Sequence, residues 1–323
     1  MAGRLRIAAT GVQDEWLTGE PQFSYFLTNF KRHSKFAFDY VESQFDGDID
    51  FDKTITCRVP GDKGDLVKNL TLKITLKDPT PDSGGANNNI WCPSVITHLI
   101  EHADLLIGGQ PIERLTGEYI YMHQQLYNTS DDIDQTLYFL NGHGNILSYA
   151  SGTNYTYFLE LPFYFYRNPK LAVPLCAINK QEVEVEFKLR DAQDLVITGD
   201  GSYITLQETL HIKEFQLCAE VVFLDCIERI KIENTPTDYL ITQLQQDTFR
   251  LDVGVNSGKF NLDFTNPVKE LYFVVQRQGS NVNAANKTLQ GNFVTIFDYD
   301  NTSNVQDGKF ILYENLDYLT LSL

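Results

Sequence analysis

The sequence predicts an all-β protein assembled from antiparallel sandwiches or barrels. Three observations predict it. Phe and Tyr are abundant, at 21 and 17 residues, against 2 Met, and aromatic side chains favour pleated, half-buried surfaces. Short runs alternate between apolar and polar residues. In LTLKITLK at 70–77, Leu70, Leu72, Ile74 and Leu76 share one face. Long loops rich in Gly, Asn and Ser separate these runs, where βαβ units would need regular helical patterns.

Residues 1–24 show no clear period and read as an extended arm. The first strand pattern starts at Phe36, with Phe38 and Tyr40 on the same face. TITCRV at 54–59 and LTLKITLK at 70–77 follow, then a loop, DPTPDSGGANNN, at 78–89. The run 94–109 is ambiguous between strand and helix, while GEYIYMHQQLY at 117–127 is the best helix candidate, within a short helical region expected near 112–127. After a polar loop at 128–154, strands are expected at 157–166, 182–189, 202–210 and 214–224. CIERIKIENTPTDY then reads as a charged connector, and further strands are expected at 240–253, 258–264, 267–277 and 309–323.

The 323 residues suffice for two ordinary cores. A net charge of −17 opposes direct nucleic-acid binding, which normally needs clustered Lys and Arg; the pairs Arg4/Arg6 and Lys31/Arg32 do not reverse that balance. No apolar run has the length of a secretory h-region or a membrane span. Cysteines at 57, 92, 176, 218 and 226 contain no CxxC pair and read as free thiols made in a reducing compartment.

Several short motifs invite a chemical reading. HLIEH at 98–102 matches H-x-x-E-H. On a helix, His98 and His102 would share a face and bind zinc, with Glu101 as general base. No third ligand is identifiable, and on a strand the same histidines simply line one side, so a structural role stands beside the zinc role. Asp46, Asp48, Asp50 and Asp52 suggest a calcium loop, but Phe51 and Cys57 occupy the places of the obligatory Gly and Glu. A solvated turn entering a strand is the better reading. NGHGN and IGGQ are glycine turns, since neither carries P-loop spacing, and no G-x-S-x-G occurs. No catalytic residue and no cofactor is expected.

The long pattern is more specific than any short motif. TGVQDEWLTGEPQFSYFLTNFKRHSKFAFDYVESQF at 10–45 resembles the opening of the major capsid proteins of nucleocytoplasmic large DNA viruses, such as those of phycodnaviruses, iridoviruses and mimivirus. The resemblance rests on Gln13/Asp14, Leu17–Gly19 with Pro21, and Lys31-Arg32-His33 ahead of Phe36-Ala37. ADLLIGGQPIERLTGEYI at 103–120 is similar to the family's strand, turn and following helix, and LELPFYFYRNPKLAVPLCAINKQEVEVEFKL at 159–189 to its "RNP" segment. LDCIERIKI and NPVKELYFVVQ resemble the connector and a strand of a second barrel.

The resemblance implies a double jelly roll: an arm at 1–24, a first jelly roll at 25–225, a connector at 226–238 and part of a second jelly roll at 239–323. It implies a homotrimer of hexagonal outline that contacts neighbouring capsomers in an icosahedral shell. Minor capsid proteins would lie beneath, an internal membrane would be an indirect neighbour, and assembly would occur in the host cytoplasm. A second jelly roll needs eight strands, and half of one would expose sheet edges. The expectation is therefore that the sequence is part of a longer chain or is completed by another polypeptide. The alternative function is a β-sandwich carbohydrate-binding or viral surface protein using Trp91, Tyr155 and Tyr157.

Overall fold

The computed structural model describes residues 11–13, 33–79, 89–92, 94–129, 136–142, 154–178, 180–198, 211–236, 238–247 and 258–273. The chain divides into two units, Met1–Lys35 and Phe36–Leu323. Apart from 11–13, the expected arm lies outside the described residues, as do 25–32, the strands expected at 202–210 and 309–323, and most of the loops at 78–93 and 128–156.

The strands of the second unit are β1 (Phe36–Gln44), β2 (Thr54–Val59), β3 (Leu66–Lys77), β4 (Asn89–Trp91), β5 (Ile100–Ile107), β6 (Gln110–Thr116), β7 (Asn154–Glu160), β8 (Val173–Pro174), β9 (Val183–Leu189), β10 (Val196–Thr198) and β11 (Ile212–Leu224). One sheet has the order β1-β11-β3-β7, with β8 also on β3; the other runs β2-β9-β5-β6; β4 and β10 form a separate ribbon. Among the described residues every pairing is antiparallel. Partners are nested along the chain: β1 with β11, β2 with β9, β3 with β7 and β5 with β6. One long hairpin wrapped around a barrel produces that nesting, which is the topology of a jelly roll.

Alternation builds the core. On β9, Val183, Val185, Phe187 and Leu189 are buried while Glu184, Glu186 and Lys188 face outward. The inner face of β3 adds Leu70, Leu72, Ile74 and Leu76, and that of β11 adds Phe215, Leu217, Ala219 and Val221. Phe187 closes the space between the sheets, with its ring 5.5 Å from Phe45 and 5.8 Å from Phe215. Each fully buried side chain of this size contributes about 1.5–3 kcal/mol.

Local chemistry explains where several elements differ from the sequence expectation. The run 94–109 divides into α1 (Val95–Leu99) and β5, and the helix expected near 112–127 begins only at α2 (Gly117–Tyr127). Residues 110–116 are strand because Gly108 and Gly109 take φ of 60° and 75°. Those values form the two-residue turn that returns β6 onto β5. Thr116 then caps α2 by accepting the Tyr119 N–H. The strand expected through 166 stops at Glu160; Pro162 follows, and 164–167 form the short α4 (Tyr164–Arg167). A further short helix, α3, spans Tyr138–Asn141. The charged connector is helical as α5 (Cys226–Asn234), where Asp225 accepts the Cys226 N–H as N-cap.

Downstream, 238–247 and 258–273 carry no strand, contrary to the expectation at 240–253, 258–264 and 267–277 for their described parts. A strand exists only where a neighbour takes its backbone hydrogen bonds. Here side chains make the ties: Gln243 and Gln245 bond to Ile112 O and Thr265 Oγ1.

Candidate functional site

The three zinc candidates do not come together on a helix. α1 ends at Leu99, so His98 sits in α1 while Glu101 and His102 lie on β5. His98 is buried with Nδ1 3.1 Å from Ser94 O. Glu101 is exposed and, with His102, borders an open cleft also lined by Arg114, Glu118 and Arg190. Arg190 pairs with Glu118 at 3.0 Å and Arg114 with Asp104, so both arginines of the cleft already have carboxylate partners. Among the described residues, no group of three or more His, Cys, Asp or Glu could hold a metal ion.

The four aspartates diverge. Asp46 bridges to Thr56 through the backbone, Asp48 pairs with Lys53, Asp50 with His211 and Asp52 with Lys188. The hydrogen bond from Lys53 holds the Asp48 carboxyl below its ordinary value. The aromatics of the carbohydrate reading are structural: Trp91 is 2% exposed and Tyr157 3%, and Tyr155 packs against the core. Trp91 Nε1 donates to Lys77 O at 3.0 Å. Core burial explains the correction, since a sugar platform needs open ring faces.

Among the described residues, a polar cluster lies along β6, the edge strand of its sheet, and no short motif pointed to it. Glu113 has a fully buried side chain and pairs with Arg167 of α4. It also accepts the Tyr164 N–H at 2.8 Å. Burial pushes its carboxyl up to about 7, with Arg167 only partly opposing that. The Arg167 guanidinium donates further to Tyr119 Oη at 2.8 Å and to Thr242 O at 3.0 Å. Beside it, the His123 ring stacks on Tyr127 at 4.5 Å and meets Tyr166 edge-on at 6.2 Å. Burial, then the Arg167 charge, push His123 down to about 4. Tyr127 and Tyr272 both donate to Glu270, holding its carboxyl well below the usual range. The signal was faint because Glu113 and Arg167 are 54 residues apart in sequence.

The outer face of the other sheet is apolar at one end. Phe36, Phe38 and Tyr40 of edge strand β1 are exposed and stand beside Leu224, Val222 and Glu220 of β11. Lys68 lies 5.1 Å over the Phe38 ring. Exposed aromatic stripes on a sandwich commonly mark contact surfaces.

The described strands form an antiparallel jelly roll, a β-sandwich whose first sheet carries exposed aromatic residues at one end of its outer face. The major capsid protein N-terminus family matches residues 24–225, which span the jelly roll from β1 to β11. The chain therefore belongs to the major capsid protein family. The major capsid protein of Phaeocystis pouchetii virus is 30% identical over 305 residues, covering 85% of this chain and 58% of that protein. Capsid protein 1 of Acanthamoeba polyphaga mimivirus is 29% identical, covering 85% and 48%. The crystal structure of PBCV-1 VP54, fitted into a reconstruction of the virophage Sputnik, superposes with TM-score 0.58 at 23% identity over 69% of this chain and 50% of VP54. That likeness carries the fold. The chain spans about half to three fifths of the length of these relatives.

Proposed function

We propose that this chain is a structural tile of a large DNA virus shell, with no enzymatic role. The observation that carries the reading is the coincidence of the nested jelly roll, β1 to β11, with the family match over 24–225. In this reading residues 1–24 are an arm, 25–225 the first jelly roll, 226–238 the connector and 239–323 part of a second jelly roll. Three chains associate as a homotrimer of hexagonal outline and meet neighbouring capsomers. Minor capsid proteins lie beneath, a membrane is an indirect neighbour, and assembly takes place in the host cytoplasm, with the virion as destination.

Two features support it. Phe36, Phe38 and Tyr40 give the first sheet an apolar outer face suited to contact with another sandwich. The charge of −17 suits a shell protein that leaves genome neutralisation to other molecules. Light scattering combined with electron microscopy of the purified protein tests the reading. Three-fold particles of hexagonal outline are expected; a monodisperse monomer at every concentration up to capsid-forming levels sinks it.

A further inference from the structure

β6 is the edge of its sheet, and an edge strand offers unpaired backbone groups to any passing chain. Here the polypeptide after α5 occupies that position. Gln243 donates to the Ile112 carbonyl of β6 at 2.6 Å, and Ile241, Leu244 and Tyr272 pack against the core as partly buried residues. These residues have no strand pairing to hold them, so side chains must.

We propose that Arg167 is the positioning residue that seats the polypeptide following the connector helix along the edge of the jelly roll. Its guanidinium joins three parts of the molecule at once. Glu113 on β6 takes one nitrogen, Tyr119 on α2 takes another, and the Thr242 carbonyl of the downstream segment takes a third bond at 3.0 Å. Only a planar fork with several donors reaches partners in such different directions; a lysine ammonium is a single point. Because Glu113 is buried among jelly-roll residues, the pair holds the guanidinium from the jelly-roll side, and the downstream segment meets that donor through the Thr242 carbonyl. A second anchor lies farther along, where Tyr127 of α2 donates to Glu270 at 2.5 Å and meets Tyr272 Oη at 2.8 Å. The direction in which the downstream chain leaves the jelly roll is thus set by residues on β6, α2 and α4. The seat is a property of the folded chain and stands apart from whether trimers form.

Hydroxyl-radical footprinting of the 323-residue protein tests the seat by side-chain oxidation rates. In Arg167→Met, oxidation of Ile241, Leu244 and Tyr272 should rise at least about threefold while Phe187 and Phe215 stay protected. Arg167→Lys separates positioning from simple support. The ammonium can neutralise Glu113 and restore the thermal midpoint, but it cannot also hold Thr242, so the three downstream residues stay reactive. Tyr127→Phe, at an exposed hydroxyl that puts folding at no risk, should expose Tyr272 and leave Leu244 unchanged. Unaltered oxidation of the downstream residues in both Arg167 variants overturns the proposal. So does a parallel rise at Phe187 and Phe215, or full restoration of downstream protection by lysine.

Discussion

Asp65 accepts the backbone N–H of Leu224 at 2.8 Å, tying the last residue of β11 to the loop that leads into β3. The same carboxylate lies 3.5 Å from Arg229 of α5, so the end of the jelly roll and the connector helix share one buried acceptor. Asp65→Ala leaves the Leu224 N–H without its partner. The expected loss is about 1–3 kcal/mol, read as a lower urea midpoint at unchanged slope. A midpoint equal to the parent's would mean water replaces the carboxylate without cost.

Gly117 opens α2 against the carbonyl end of α1. A Cβ at this position would lie 2.3 Å from Ile100 O and 2.4 Å from Thr97 O. Alanine in a helix normally gains about 0.5–1 kcal/mol over glycine. Here overpacking against rigid backbone opposes that gain and costs about 1–3 kcal/mol, so Gly117→Ala should be less stable. A thermal midpoint at or above the parent's would contradict the close approach of these two turns.

Phe187 is fully buried in the inter-sheet core, and Phe187→Ala should cost about 3–5 kcal/mol, whereas Phe187→Leu should cost markedly less. Denaturant melts of the two variants measure the difference. Equal losses would place the ring outside the close-packed layer.

The edge cluster gives the protein a pH response with two opposing limbs. Burial raises Glu113 from 4.5 to about 7, so the fold holds its proton longer than the unfolded chain does. That contribution is full below the unfolded value and is lost as pH rises through about 7. His123 is lowered from 6.5 to about 4. Its contribution is present above 6.5 and is lost as pH falls through about 4. Glu113→Gln should therefore gain stability relative to the parent as pH rises from about 5 to about 8. His123→Phe should flatten the acid limb between about pH 6.5 and 4. A constant offset across pH for both variants would show that neither group titrates differently on folding.

Much of the jelly roll was legible in the residues, and the reason is periodicity. LTLKITLK and EVEVEFKL alternate because one face of each strand meets the opposite sheet, and β3 and β9 fall where that pattern puts them. The helix α2 was legible too, but its start was not. Tyr119 and Ile120 are buried, yet nothing local says that Ile112 and Leu115 belong to a strand rather than the same helix. Gly108 and Gly109 make that choice by turning β6 back onto β5. HLIEH misleads for a similar reason, because pairing with β9 takes residues from Ile100 onward out of the helix.

The sequence by itself determined the class of fold, the faces of the long strands and the family, since these depend on local alternation and on residues in linear order. Only the tertiary structure decided which residues meet across distance. It buried Trp91 and Tyr157, sent the four aspartates to separate partners, and brought Glu113, Arg167 and Thr242 to one point on the edge of β6. The physical reason is that ion pairs and hydrogen bonds depend on separation in space. Wrapping a single hairpin around a barrel makes neighbours of residues the linear chain holds far apart.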